Sequence, residues 1–219
     1  MDRDLREILV DGSRAMGIEI SEESVVCFST YLSLLQTWGG KINLTSRLRG
    51  REIVIHHFLD SLAGIEFLSS SPASRVVDLG AGAGLPAFPL KFALPKLQVT
   101  LVESVRKKVA FCDQVIRETG LTGITAIWGR AEELGNLPEH HGAYDWVISR
   151  ALGDSADVVA LGLPFLSPGG KILLYKGAPS ESELQKLGEF CSDIGASWQL
   201  YPKRVPHLEE SRSLIVVRT

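Results

Sequence analysis

An acid followed by a glycine triplet is the first grouping in the chain equipped to bind a ligand. The apolar run Val76-Val77-Asp78-Leu79 leads into Gly80-Ala81-Gly82-Ala83-Gly84-Leu85-Pro86. Glycines at alternate positions let the backbone approach a ligand closely, and a helix starting behind them offers unpaired N–H groups. A second acid, Glu103, closes the next apolar run 25 positions after Asp78, where a carboxylate can accept both hydroxyls of a ribose. The third run ends in Gly129-Arg130-Ala131-Glu132. Taken alone, the glycine loop is equally a tight turn between a buried strand and a helix. Three successive strand ends furnished in this way point to a nucleoside cofactor.

Two nucleosides compete for such a loop. A dinucleotide asks for G-x-G-x-x-G, with its pyrophosphate on the helix N-terminus. Here Leu85 stands where the last glycine belongs. The G-x-G-x-G spacing after Asp78 resembles the S-adenosyl-L-methionine loop of Rossmann-like methyltransferases, with Asp78 near the amino-acid end of the cofactor, directly or through water. Glu103 serves NAD enzymes equally well, so an NAD(P)-binding oxidoreductase stands as the alternative. A non-catalytic RNA-binding module on a vestigial fold is a third reading, opposed by the intact Asp78, Gly80, Gly82 and Glu103.

The candidate methyl acceptor is narrowed by what is missing. Methylation at carbon-5 of a pyrimidine needs a cysteine nucleophile, and Cys27, Cys112 and Cys191 lie away from the expected strand ends. Exocyclic amines are usually served by an Asn/Asp-Pro-Pro-aromatic signature after the fourth strand, where this chain has Ser149-Arg150-Ala151-Leu152. An acceptor with a lone pair and no proton to lose, such as guanine N7, needs positioning and electrostatic control and no obligatory general base.

Elements that would hold these residues follow from periodicity. From Asp2 to about Ser69 apolar residues recur at helical spacing, with Ser21 as an N-cap, Trp38-Gly39-Gly40 as a stop and a further helix over Arg51–Leu68. Beyond the breaker Ser69-Ser70-Ser71-Pro72, short apolar runs alternate with helical stretches. The runs are Arg75–Leu79, Gln98–Glu103, Ile124–Trp128, Trp146–Ile148 and Lys171–Tyr175; the helices are Leu85–Leu94, Val105–Thr119, Ala156–Leu166 and Glu181–Ile194. Such alternation predicts an α/β doubly wound, mostly parallel sheet, closed by an antiparallel pair at Ser197–Val205 and Ser213–Arg218. The expected division is a helical N-terminal cap over residues 1–70 and a Rossmann-like cofactor-binding core over 71–219.

Charge and cysteine usage bound the partners. A net charge of −3 excludes a broadly basic surface, so a nucleic-acid role must rest on a local patch. Lys41, Arg47, Arg49 and Arg51 around Gly50 are one candidate, with Arg106-Lys107-Lys108 adding to it across the fold. Three scattered cysteines in no Cys-x-x-Cys or Cys/His cluster argue for thiols in a reducing compartment and against a metal site. The charged N-terminus lacks a signal-peptide core, and no apolar run approaches the roughly 18–20 residues that span a bilayer. A soluble, cytoplasmic protein is expected. His57 and Asp60, at i and i+3, read as a structural or RNA-proximal hydrogen-bonding pair. Asn43-Leu44-Thr45 reads as a loop or cap element, or as a contact near the substrate.

Several motifs in order carry a resemblance to one family. They are Asn43-Leu44-Thr45, His57-Phe58-Leu59-Asp60-Ser61-Leu62, Val77–Pro86, Glu103-Ser104 with Lys107-Lys108-Val109 and Phe111, Gly129–Glu133, Ser149-Arg150-Ala151, and Lys176-Gly177. Together they resemble the RsmG family (once called glucose-inhibited division protein B), bacterial enzymes that methylate N7 of one guanine in small-subunit (16S) ribosomal RNA. The resemblance implies cofactor contacts at Gly80, Leu85, Ala131, Glu132 and Arg150. It joins these to Asp78, Gly82, Gly84, Glu103 and Ser104 of the loop and second strand. It also implies positively charged positions around the active site at Arg130, Arg150 and Lys176. The expected partner is small-subunit ribosomal RNA, the 30S subunit or an assembly intermediate, approached by a monomer with no obligate protein partner and no membrane. Asn43, Arg47, Arg49, Arg51, His57 and Asp60 are the candidate RNA-side residues. Pro86-Ala87 departs from the family's usual Pro-Gly, and Lys107-Lys108 from its common Lys-Arg.

Overall fold

In the computed structural model, which describes residues 1–40, 42–45, 49–71 and 74–219, seven strands form a single sheet. They are β1 Arg75–Leu79, β2 Gln98–Glu103, β3 Ile124–Trp128, β4 Tyr144–Arg150, β5 Leu166–Lys176, β6 Ser197–Lys203 and β7 Arg212–Arg218, in the spatial order β3-β2-β1-β4-β5-β7-β6. The first five run parallel, and β7 lies antiparallel between β5 and β6. The doubly wound sheet with its antiparallel C-terminal pair is thus as expected. The order reverses between β1 and β4, and in open α/β sheets that switch point is where ligands bind.

Helices cover both faces. One face carries α1 Arg3–Ala15, α2 Glu22–Gly39, α6 Ala87–Ala93 and α7 Arg106–Thr119; the other carries α8 Ala131–Leu134, α9 Ser155–Gly162 and α10 Glu181–Asp193. Ser21 caps α2, its Oγ accepting from the Ser24 amide at 3.2 Å, as its sequence position suggests. The N-terminal helices share one apolar core with the rest of the chain. Phe28 and Tyr31 of the first 70 residues, themselves packed on Phe58, meet Phe88, Phe92 and Phe111 of the remainder with ring centroids 5.0–6.2 Å apart. Aromatic pairs at this spacing add to the burial of their own surface.

Two expectations need correction. The continuous helix over Arg51–Leu68 is broken into α3 Gly50–Ile53, a π-helical stretch Val54–Leu59, α4 Asp60–Leu62 and α5 Ile65–Ser69. The break follows from packing: a Cβ on Gly64 would lie 2.1 Å from the Tyr175 hydroxyl, which donates to the Ser61 carbonyl at 2.8 Å. Only glycine lets the chain close on that ring. The fifth strand is also longer than Lys171–Tyr175: Leu166 pairs with Tyr144, and after a register shift that takes up Gly169 and Gly170 the pairing resumes at Lys171 opposite Trp146.

Candidate active site

Strand alternation selects the residues of the site. Val76, Leu101, Ile148 and Leu173 lie in the core beneath the N-terminal helices, so two positions on, Asp78, Glu103, Arg150 and Tyr175 share that face at the carboxyl ends of four adjacent strands. Val77, Val147 and Leu174 belong to the opposite core. Lys176 follows Tyr175 directly and therefore starts from the opposite side of the sheet. The same period places Trp128 beside Glu103 at the sheet's edge.

Asp78 is fully buried, and neither of its carboxylate oxygens has a hydrogen-bond partner. Burial raises its pKa to about 8; nearby Arg150 opposes the rise, as does the Ala87 amide, which is near the carboxylate without meeting hydrogen-bond geometry, and Glu103 adds to it. A buried acid without a partner costs stability, and one at a switch point offers a counter-charge for a cationic ligand group. The glycine loop runs beside it with φ of +69° at Gly80, +59° at Gly82 and +82° at Gly84. A Cβ on Gly84 would strike the Phe88 ring at 2.2 Å, so that glycine serves helix packing. At Gly82 a Cβ would meet only the Gly80 carbonyl oxygen, at 3.8 Å, leaving open space beside the loop.

Second-strand and cap residues hold the loop. Glu103 Oε2 accepts from the Gly82 amide at 2.9 Å, and its Oε1 accepts from the Val105 amide at 2.8 Å. Tyr31 of the cap, fully buried, donates to the Ala83 carbonyl at 2.7 Å. Cys112 Sγ lies 3.7 Å from the Gly82 carbonyl, reaching the loop from α7 and not from a strand end. Burial pushes its thiol well above the ordinary range, aided by the nearby charges of Asp78 and Glu103, and it cannot act as a thiolate nucleophile. Position in the chain could not reveal Tyr31 or Cys112, since both reach the loop from helices that pack over it.

Gly82→Asp is expected to fold and to weaken binding of S-adenosylhomocysteine at least about 100-fold, because a third carboxylate would fill the open space between Asp78 and Glu103. Isothermal calorimetry giving wild-type affinity would detach the loop from the cofactor.

Next to the loop, a pocket of about 380 Å³ is lined by His56, His57, Asp60, Arg150, Tyr175, Lys176 and Arg212, among others. Asp60 is buried, and its two oxygens receive Arg150 at 3.1 Å and Arg212 at 2.8 Å. It is therefore the anchor of two arginines rather than a helix-surface partner of His57. His57 Nε2 lies 2.6 Å from Thr45 Oγ1, which ties the Asn43-Leu44-Thr45 segment to the pocket, while Asn43 itself is exposed. Arg150 also reaches the His56 carbonyl at 3.4 Å. Arg212, His56 and Tyr175 escaped the sequence reading; the one available signal was the strand period for Tyr175.

Lys176 lines the same pocket as Arg150, with its charge already paired. Its ammonium lies 2.7 Å from Glu183 Oε1 and donates to the Gly153 carbonyl at 2.6 Å. Glu183 also accepts from the Ser155 hydroxyl at 2.6 Å and its amide at 3.2 Å. Burial works to raise the Glu183 pKa, but the hydrogen bonds from Lys176 and Ser155 outweigh it and hold the carboxyl below its ordinary value. This network pins the turn after β4, where Ala151 has φ +60° and Leu152 covers Gly80. Glu183→Gln should lower stability by about 1–2 kcal/mol, a fall in Tm of roughly 2–8 °C. A double-mutant cycle with Lys176→Met tests the coupling; additive effects would leave the Lys176 charge free for substrate.

Other expected residues are dispersed. Ala131 is buried at the start of α8; Ser104, Arg130 and Glu132 are exposed at the ends of β2 and β3; and Leu85 is buried before a cis Leu85-Pro86 bond. Arg49 is exposed, and Arg51 lines a separate cleft with Asp2, Leu5 and Gln36. Lys41 and Arg47 lie outside the described residues. No cluster of three or more potential metal ligands occurs among the described residues, nor is any helix there long and apolar enough to cross a membrane.

Comparison with known proteins decides among the readings that this geometry permits. Residues 25–215 match the model of the family described as rRNA small subunit methyltransferase G. The chain belongs to this family. Relatives named ribosomal RNA small subunit methyltransferase G, from Desulforamulus reducens and Pelotomaculum thermopropionicum, are 33% and 35% identical, each alignment covering 98% of this chain and 90% of the relative. Solved structures share the fold at lower identity. A precorrin-6y C5,15-methyltransferase from Geobacter metallireducens has a TM-score of 0.56 at 17% identity, covering 80% of this chain and 91% of that one. Aeropyrum pernix fibrillarin, solved with bound S-adenosyl-L-methionine, has a TM-score of 0.55 at 20% identity, covering 73% of this chain and 72% of that one. Membership in the methyltransferase G family removes the oxidoreductase alternative, and Leu85 in place of the dinucleotide glycine agrees.

Proposed function

We propose that this chain transfers a methyl group from S-adenosyl-L-methionine to N7 of a guanine in small-subunit ribosomal RNA, acting in the cytoplasm as a monomer on the 30S particle or its precursors. The unpartnered, buried Asp78 carboxylate beside an open glycine loop supports the reading, within a family whose members are named for methylation of small-subunit ribosomal RNA. The residues fit the cofactor: Asp78 suits its ammonium-bearing end, Glu103 its ribose, and the backbone at Gly82 gives it room, with Gly80, Gly84 and Leu85 shaping the loop around it. Ser104, Ala131 and Glu132 stand at the next strand ends for the base. When bound, S-adenosyl-L-methionine supplies a methyl group on a sulfonium, open to in-line attack by a lone pair.

The chain's own work is to orient and to shield. Arg150 presents N–H donors that suit a carbonyl oxygen such as guanine O6, adjacent to N7 on the same edge of the base. Asp60 offsets part of the charge of Arg150 and Arg212, so the pocket does not strongly oppose the positive charge that N7 acquires. No residue has to remove a proton, which agrees with a pocket whose carboxylate is engaged by arginines. Arg130, exposed at the end of β3, is placed to meet phosphate.

The test is incorporation of labelled methyl from S-adenosyl-L-methionine into under-methylated small subunits, followed by nucleotide mapping. One 7-methylguanosine in the small-subunit RNA is the expected product. No incorporation, or methylation at another atom, would sink the proposal.

A further inference from the structure

We propose that Trp128 and Arg106 form a second RNA-contact surface, a stacking platform at the β3 edge that engages substrate nucleotides away from the reacting guanine. This inference rests on the RNA methyltransferase reading and extends it to a surface outside the catalytic pocket. Trp128 is 51% exposed at the end of β3, a heavy cost for the largest aromatic side chain in a sheet. Its ring is fixed, not loose: Nε1 donates to the Ser104 carbonyl at 2.9 Å, and the Arg106 guanidinium lies over the ring, 4.0 Å from its centroid. Val105, 44% exposed, adds apolar surface alongside.

The charges nearby point to the occupant. Arg106, Lys107 and Arg130 are exposed, and none forms an ion pair among the described residues. Arg106, Lys107 and Lys108 also crowd the first turn of α7, where the helix dipole disfavours cations and no acid compensates. On a chain of net charge −3, this concentration of positive charge is local. S-adenosyl-L-methionine carries no phosphate and itself bears a sulfonium, so it offers these cations nothing to neutralise. A polynucleotide offers both a phosphate chain and unstacked bases for the ring, the combination by which aromatic and basic grooves hold single strands. β3 lies three strand spacings, about 14 Å, from the catalytic end of β4, so RNA reaching both would run along the carboxyl edge of the sheet.

The experiment uses the full chain and in vitro transcribed small-subunit RNA, with affinity measured by filter binding. Trp128→Ala should weaken RNA binding about tenfold, Trp128→Phe should restore most of it, and Arg106→Gln should lower the salt slope by about one. Calorimetry with S-adenosylhomocysteine should give an affinity within about twofold of wild type for each variant. Unchanged RNA affinity would overturn the platform. So would a parallel loss of S-adenosylhomocysteine affinity, which would make Trp128 part of the adenosine site. If wild-type chain transfers no methyl to RNA, the function reading fails separately, and the binding arm still decides whether this surface holds RNA.

Discussion

Asp78→Asn is expected to abolish cofactor binding while making the unliganded chain more stable above about pH 8. Burial holds the carboxyl near pKa 8 in the fold, against an ordinary value close to 4 in the unfolded chain. A folded-state acid with a raised pKa binds its proton more tightly folded than unfolded. The protonated form therefore contributes nothing adverse below about pH 4, and stability falls steadily as pH rises through the window from 4 to 8. Asparagine removes that loss, and at pH 8–9 Tm should rise by at least about 2–4 °C, the effect of roughly 1 kcal/mol in a chain of this size.

The same titration governs the ligand. A carboxylate is needed opposite the ammonium, so between about pH 6 and 7.5 wild-type affinity for S-adenosylhomocysteine should climb close to tenfold per unit, with a proton released on binding. Calorimetry in buffers of different ionisation enthalpy reads both quantities. An Asp78→Asn chain that binds normally, or is less stable than wild type at pH 9, would remove Asp78 from the cofactor account.

Asp60→Asn should have the largest effect on stability. It leaves Arg150 and Arg212 side by side with no counter-charge, and breaking a buried ion pair by removing one partner costs about 3–5 kcal/mol. The lower end applies, because the Arg212 side chain keeps 22% of its surface exposed. A fall in Tm of roughly 6–12 °C is expected, with methyl transfer lost at temperatures where the chain is still folded. Thermal unfolding within about 2 °C of wild type would show that solvent already screens the triad.

The cofactor half was legible because each strand end is a local signal. Asp78 with its glycines, Glu103 and Arg150 are marked by type and by position within a few residues, and strand alternation brings them to one face. The pocket around Asp60 was not legible, because its contacts join residues 90 or more positions apart: Asp60 with Arg150 and Arg212, and Ser61 with Tyr175. No period in 51–68 foretells a π-helical stretch, or the break at Gly64, which exists because Tyr175 occupies that space. Lys176 was legible in place and not in pairing. The motif-based expectation puts it around the site with Arg150, and it does line the same pocket, but its ion pair with Glu183 of α10 could not be read from the motif.

The decisive measurement is a crystal structure of the chain with S-adenosylhomocysteine. The account predicts its amino-acid end at Asp78, its ribose on Glu103 and its sulfur facing the pocket of Arg150, His57 and Tyr175. A ligand bound elsewhere, or one whose sulfur is walled off from that pocket, would contradict it.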